Sequence, residues 1–438
     1  MKKLLKLDLI LLILLAILVY APIFSSWFFM DDFYFLQISK AANLREFFLF
    51  FKPILGIPFR PVSQQIFFFT FQRIFGLRVL PFFIFTFLIH ILSAWLVYKI
   101  GRCFVKERIK AKLISLMYVI SPIFYMGLYS LTGSYVLFGI LYFLLSFWLW
   151  LRFENEKRNW LYFLSLLFFI LAIFSSEIAF SLPILIFLFS KYKNKLKRIT
   201  PYGIIIVSNL LINYFFAGAP ETQAFSFKFS SFPSVFRWYI LRAFGLPEGV
   251  KNGYLWETRL IYALFFILLT LLTAGLYKWY QAKKEIFKKE LKLILKYLLW
   301  IFVSALPFYF MPYHLNPIYF SISFIGFLFL LEKILDKKFF YFYLFISIII
   351  SFFSVRLLAH THWTARRASL AKDWITRTRT NCSYYNSNNK VDILMEEEGL
   401  AEELMITLQK DRALQLFCQN EDLKVIYKVY GENKSLIE

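Results

Sequence analysis

Apolar runs of about 18 residues or more recur along most of this chain, and a run of that length with few charges can cross a bilayer as a helix. The candidate spans fall at about 8–28, 80–98, 113–129, 133–151, 160–175, 178–190, 201–217, 259–277, 295–311, 316–331 and 339–358, of which the short 178–190 could be re-entrant. Of the 438 residues, 60% are hydrophobic and 22% aromatic, whereas soluble chains dilute such segments with charge. In lipid the backbone must satisfy its own polar groups, so the expected fold class is an all-α polytopic membrane protein with about eleven transmembrane helices. AT-rich codon usage alone produces an abundance of Phe, Ile, Lys and Asn, so the 57 Phe receive no functional weight.

The net charge of +23 would suit a nucleic-acid binder, but its placement excludes that reading. The N-terminal Lys2, Lys3 and Lys6 and the segments 99–112, 152–158, 191–198, 278–296 and 332–338 together carry +20 of it. These segments alternate with the apolar runs, as the positive-inside rule requires of cytoplasmic loops. The expected topology has a cytoplasmic N-terminus and an extracytoplasmic C-terminus in the plasma (inner) membrane. The first run is long for a signal peptide and Ala21-Pro22-Ile23 is a poor cleavage site, so a retained first helix is expected.

Residues 1–358 would then form the transmembrane domain, with outer loops at 30–78 and 218–258. Leu44–Phe51 and Gln64–Phe75, apolar on one side and polar on the other, read as short helices lying in the interface. Residues 359–438, balanced in charge and ordinary in hydropathy, read as a small extracytoplasmic α/β domain. In it Trp363–Thr378 reads as helix and Asn381–Asn389 as a polar linker. Lys390–Met395, Asp411–Asn420 and Leu423–Val429 then read as strand, helix and strand. Cys103, Cys382 and Cys418 have no metal spacing; the last two share one side, where a disulfide and two free thiols are equally open.

The first outer loop carries the most informative charges. Asp31 and Asp32 follow the first run directly, inside Phe28-Phe29-Met30-Asp-Asp-Phe33-Tyr34-Phe35. A single acid there can be a stop to insertion, but a pair in an otherwise aromatic and basic loop asks for more. Neighbouring side chains on a helix diverge by about 100°, so both are not expected to face one reacting atom. Arg60-Pro61 supplies the opposite charge: its guanidinium suits a phosphate, although a snorkelling arginine at a helix start has the same look. His90, in mid-span, suits an interhelical hydrogen bond better than catalysis. Glu177, at an outer turn after Ser175-Ser176, could cap the next helix or line a cavity facing the first loop. His314, at another outer turn, is a weaker candidate of that kind. No Walker loop, dinucleotide fingerprint, His-Glu-x-x-His or Cys cluster is present, so the sequence implies no nucleotide or redox cofactor.

This ordered set resembles the GT-C superfamily of integral-membrane glycosyltransferases, which use polyprenyl-phosphate-linked sugars. Asp31-Asp32 looks like its first-loop acidic motif and Phe59-Arg60-Pro61-Val62 like its aromatic-Arg-Pro segment. Phe87–Tyr98, with His90, is similar to the second span of bacterial members and of O-mannosyltransferases carrying tetratricopeptide repeats, though no such repeat occurs here. Phe174-Ser175-Ser176-Glu177 followed by Pro183 resembles a Ser-Lys-Glu…Pro turn, with Ser176 replacing the Lys, and Leu408–Tyr427 resembles the last element of some bacterial members. Near His314 the sequence departs from the Arg-Tyr segment common in relatives.

The resemblance implies an inverting transferase that moves a sugar from a polyprenyl-phosphate donor to a hydroxyl of a lipid, glycan or protein on the outer face of the membrane. Asp31 and Asp32 would be catalytic, Asp31 as base and Asp32 as support; Arg60, Glu177 and His314 would bind substrate. No cofactor is required, and a divalent metal, if used, would sit at Asp31 or Asp32. The alternatives are a lipid-linked oligosaccharide ligase, polymerase or flippase of envelope assembly, and a non-enzymatic scaffold.

Overall fold

The computed structural model describes residues 2–217, 226–248, 255–282 and 287–429. Helices occupy all eleven expected span positions, but not all are long enough to cross a bilayer. Among the described residues six are long and apolar enough: Val79–Phe104, Thr132–Glu156, Lys195–Phe216, Trp256–Gln281, Pro317–Ile334 and Lys337–Thr361. Arg108–Ile120 and Pro122–Tyr129 meet at a 42° bend and would be a seventh as one span. Pro122 explains the bend, because it has no N–H to continue the helical ladder. The remaining four are shorter or more charged: Ile10–Ser25, Asn159–Ile173 and Glu177–Phe189 fall between 10 and 17 residues, and Phe287–Ser304 opens with Lys288, Lys289, Glu290 and Lys292. The protein is therefore a mostly helical, polytopic membrane protein, and eleven spans exceed what helix length and composition establish.

Some helix contacts inside the bundle use small and polar residues, as packing in lipid favours. Tyr135–Glu156 and Asn159–Ile173 are sequential partners cross-linked by two serines: Ser146 donates to the Ser165 carbonyl at 2.6 Å and Ser165 to the Ser146 carbonyl at 2.7 Å. One glycine decides how closely the following turn approaches. A Cβ on Gly139 would lie 2.6 Å from the Ser176 Cβ, so only glycine lets the Ser176-Glu177 turn rest on the Tyr135–Glu156 helix. His90 is fully buried, and its Nε2 meets the Val119 carbonyl at 2.9 Å. It is the interhelical hydrogen-bond partner its mid-span position suggests.

The first outer loop is helical in pieces. Asp31–Ile38, Leu44–Phe48 and Phe67–Phe75 are α-helices, and Pro61–Ile66 is a π-helical turn leading into the last. Leu44, Phe48, Leu49 and Leu55 stand exposed, as an amphipathic segment seated at a lipid surface requires. In the second outer loop Phe232–Ala243 is a helix. Residues 218–225 and 249–254 of that expected loop lie outside the described residues.

At the C-terminal end Trp363–Thr378 is the expected helix, and β1 (Lys390–Met395) pairs in parallel with β2 (Lys424–Val429). Parallel strands need a crossover, and here it contains two helices, Glu398–Thr407 and Arg412–Cys418. The first of these was not expected, although Ala401, Leu404 and Thr407 supply an i, i+3 buried stripe. The expected polar linker is instead largely the helix Cys382–Asn388. A Cys382–Cys418 disulfide and an Asn386 side-chain bond to the Cys418 carbonyl at 3.0 Å tie it down. The two strands alone would be marginal; Ala368, Ala371 and Ile375 of the Trp363–Thr378 helix are buried in the hydrophobic cluster they share.

The disulfide leaves Cys103 as the one free, exposed thiol. Detergent-solubilised protein treated with a maleimide–polyethylene glycol should gain one adduct under non-reducing, denaturing conditions and three after reduction. Three adducts without reductant would show that Cys382 and Cys418 do not pair.

Candidate functional site

The two adjacent carboxylates sit in the first turn of the Asp31–Ile38 helix, where the helix dipole favours negative charge. The turn is entered through Met30, at φ 52° and ψ −127°, a left-handed conformation uncommon for a side-chain-bearing residue. From there the side chains diverge. Asp32 is fully buried: Oδ1 accepts from the Thr132 backbone N–H at 2.7 Å and from the Thr132 hydroxyl, and Oδ2 accepts from the Phe29 N–H at 3.2 Å. Burial pushes its pKa up to about 7, against the pull of those three hydrogen bonds. Asp31 stays exposed, and the Gln409 amide donates to its Oδ1 at 3.3 Å. Partial desolvation raises its pKa as well, and the nearby Arg412 guanidinium partly offsets that. One carboxylate is thus locked and the other open.

Arg60 lies against the turn that carries Glu177. The Val62 N–H donates to the Phe174 carbonyl at 3.2 Å, Ser63 to the Ser175 carbonyl at 2.9 Å, and Phe59 packs edge-on to Phe174. This fixes the guanidinium in a two-pronged pair with Glu177: Nε lies 2.9 and 3.0 Å from the carboxylate oxygens, and Nη2 lies 2.7 Å from Oε2. Its other partner is the Tyr135 ring, 4.0 Å below the guanidinium carbon. Burial disfavours the charge, but Glu177 and Tyr135 more than offset it and hold the Arg60 pKa above its ordinary value. Tyr135 Oη lies 2.7 Å from Tyr319 Oη, which lies 2.8 Å from His314 Nε2. Burial, then the Arg60 charge, lowers the His314 pKa.

Arg60, Glu177 and His314, far apart in sequence, therefore belong to one connected cluster. Glu177 does not cap the helix that follows it; Ser176 does, accepting from the Ile178 N–H. Glu177 is instead the counter-ion of Arg60. Thr132, Tyr135 and Tyr319 are the site residues that sequence reasoning missed. Thr132 and Tyr135 begin and follow the short Thr132–Ser134 turn, so one tight segment holds Asp32 at its start and Arg60 at its end. A Thr-Gly-Ser-Tyr break between apolar runs was the available signal. Among the described residues no group of three or more His, Cys, Asp or Glu lies together in a form suited to a metal ion. With both Asp32 oxygens occupied by donors, Asp31 is the acid of the pair still open to a ligand.

Residues 60–215, from Arg60 through the Glu177 turn, match the family model of the dolichyl-phosphate-mannose-protein mannosyltransferases, a GT-C superfamily domain. The match supports a membrane glycosyltransferase of the GT-C type. No curated protein matches the chain.

The two acids should separate cleanly in stability measurements. Asp32→Ala strands three buried donors and should cost about 2–4 kcal/mol, read as a lower melting temperature in detergent. Asp31→Asn should stay within ~0.5 kcal/mol of wild type. Because the Asp32 pKa is raised on folding, its contribution is full below about pH 4, the unfolded value, and is lost as pH rises through about 7. Wild-type melting temperature should therefore fall across that window relative to Asp32→Asn.

Proposed function

We propose that this protein is an inverting glycosyltransferase that takes a sugar from a polyprenyl-phosphate donor and places it on a hydroxyl of a lipid, glycan or protein acceptor. The observation that carries the reading is the split of the acid pair: Asp32 anchors the turn, while Asp31 presents an open carboxylate of raised basicity. A prenyl phosphate is already a good leaving group, so one base suffices, unlike glycoside hydrolysis with its two carboxylates. Asp31 takes the proton of the acceptor hydroxyl, and its oxygen attacks C1 from the face opposite the phosphate. The C1–O bond breaks with its electrons leaving on the prenyl phosphate. A carboxylate of raised pKa is the better base for that step.

Arg60, held rigid by Glu177 and Tyr135, supplies the positive potential that draws the donor phosphate, through the edge Glu177 leaves free. Tyr319 and His314 extend that cluster. The exposed apolar residues of Leu44–Leu55 suit a segment that seats the lipid tail of the donor at the membrane surface. The charge pattern favours eleven spans, a cytoplasmic N-terminus, and the Asp31 loop and C-terminal element on the outer face of the plasma membrane. A divalent ion, where one is used, would have Asp31 as its ligand from the pair.

Membranes incubated with radiolabelled prenyl-phosphate sugars should transfer label to lipid or protein. Asp31→Asn should lower that transfer ~100-fold or more while insertion and melting temperature stay as in wild type. Transfer that survives Asp31→Asn but not Arg60→Ala would overturn the assignment of the base and favour an oligosaccharide ligase, polymerase or flippase.

A further inference from the structure

The C-terminal element is docked on the acid pair. The Met30 N–H donates to the Thr407 carbonyl at 2.8 Å, one residue before Asp31. The Gln409 amide reaches Asp31 itself. Arg412 stacks on Tyr34, 4.4 Å from its ring centre, and donates to the Gln37 side chain at 2.9 Å. Further out, Lys40 pairs with Glu421 at 2.9 Å, and Phe417 packs against Trp27 and Phe33.

Backbone strain gathers at the same joint. Met30 lies at φ 52° on one side; Gln409 and Lys410 lie at φ 55° and 57° on the other. None is glycine, and such conformations are unfavourable for side-chain-bearing residues and kept only where surroundings enforce them. What the left-handed Gln409-Lys410 pair adds is a tight turn that aims one amide at one carboxylate.

We propose that the turn between the Glu398–Thr407 and Arg412–Cys418 helices is a working part of the site, in which Gln409 and Arg412 are positioning residues that aim the Asp31 carboxylate at the acceptor hydroxyl. The inference rests on Asp31 being the base. Gln409 occupies one oxygen of Asp31 and so fixes which oxygen is left to take the proton. Arg412 is half-buried, has no carboxylate within ion-pair distance among the described residues, and grips the helix that carries Asp31 through Tyr34 and Gln37. Asp32 and Tyr34, on its own helix, also interact with Asp31 electrostatically, and the Trp363–Thr378 helix brings Arg367 to the neighbouring Met30. The charge of Arg367 is offset by Glu403 at 2.8 Å while its Nη1 contacts the Met30 sulfur at 3.0 Å. Arg412 is thus the cation that joins this turn to the helix of Asp31 without a carboxylate of its own.

The test is label transfer by the full-length protein, measured against donor concentration, for wild type, Asp31→Asn, Gln409→Ala, Arg412→Ala and Arg412→Lys. Lys424→Ala, on the exposed edge of β2, serves as a control. Gln409→Ala should lower kcat roughly ten- to a hundredfold with donor KM and melting temperature unchanged. Arg412→Ala unfastens the turn from the helix that carries Asp31, so kcat should fall roughly tenfold with donor KM unchanged. Arg412→Lys should restore it, and Lys424→Ala should match wild type. Normal kcat in both variants, with Asp31→Asn inactive, would overturn this inference and leave the base assignment standing. So would losses that track melting temperature and are not rescued by lysine. An inactive wild type, or an active Asp31→Asn, would instead overturn the base assignment and this inference with it.

Discussion

The buried carboxylate of Asp32 is the contact on which the rest of the site depends. A charge with no exposure is costly unless donors surround it, and here they come from the Phe29 N–H and from both polar groups of Thr132. That arrangement fastens the first outer loop to the Thr132–Ser134 turn. Tyr135 follows directly and carries Arg60 on its ring. Removing the Asp32 anchor would free Asp31 and the Arg60 platform together, although the two share no direct contact.

A second constraint is steric. Glu177 reaches Arg60 because its turn lies flush on the Tyr135–Glu156 helix, and that approach requires the missing Cβ of Gly139. The resulting cluster combines a two-pronged ion pair, a guanidinium over an aromatic face and a Tyr–Tyr–His chain. A guanidinium fixed on two sides loses little freedom when an anion approaches the third, which is the sense in which the site is preorganised.

The C-terminal element, expected as a separate soluble appendage, is packed against the first outer loop. Its strands were legible because alternating buried residues bounded by turns are a local signal: Val391 and Ile393 in β1, Val425 and Tyr427 in β2. Its docking was not legible. The Gln37–Gln415, Lys40–Glu421 and Asp31–Gln409 contacts join residues about 380 positions apart, and each is a polar residue that would look equally natural facing water. The Cys382–Cys418 pairing belongs to the same class, since two cysteines on one side of a membrane are compatible with either state.

By itself the sequence determined that the chain is a helical membrane protein, where its apolar segments lie, and which outer-loop charges needed an explanation. Hydrophobic length, loop charge and period-2 strands are properties of neighbouring residues, so a linear reading reaches them. Only the tertiary structure decided that Asp32 is locked while Asp31 is open, that Glu177 answers Arg60 and not a helix end, and that Thr132, Tyr135 and Tyr319 join the site. Those outcomes turn on which side chains meet across helices, and such pairings follow from packing and desolvation at long range, where local pattern carries no information.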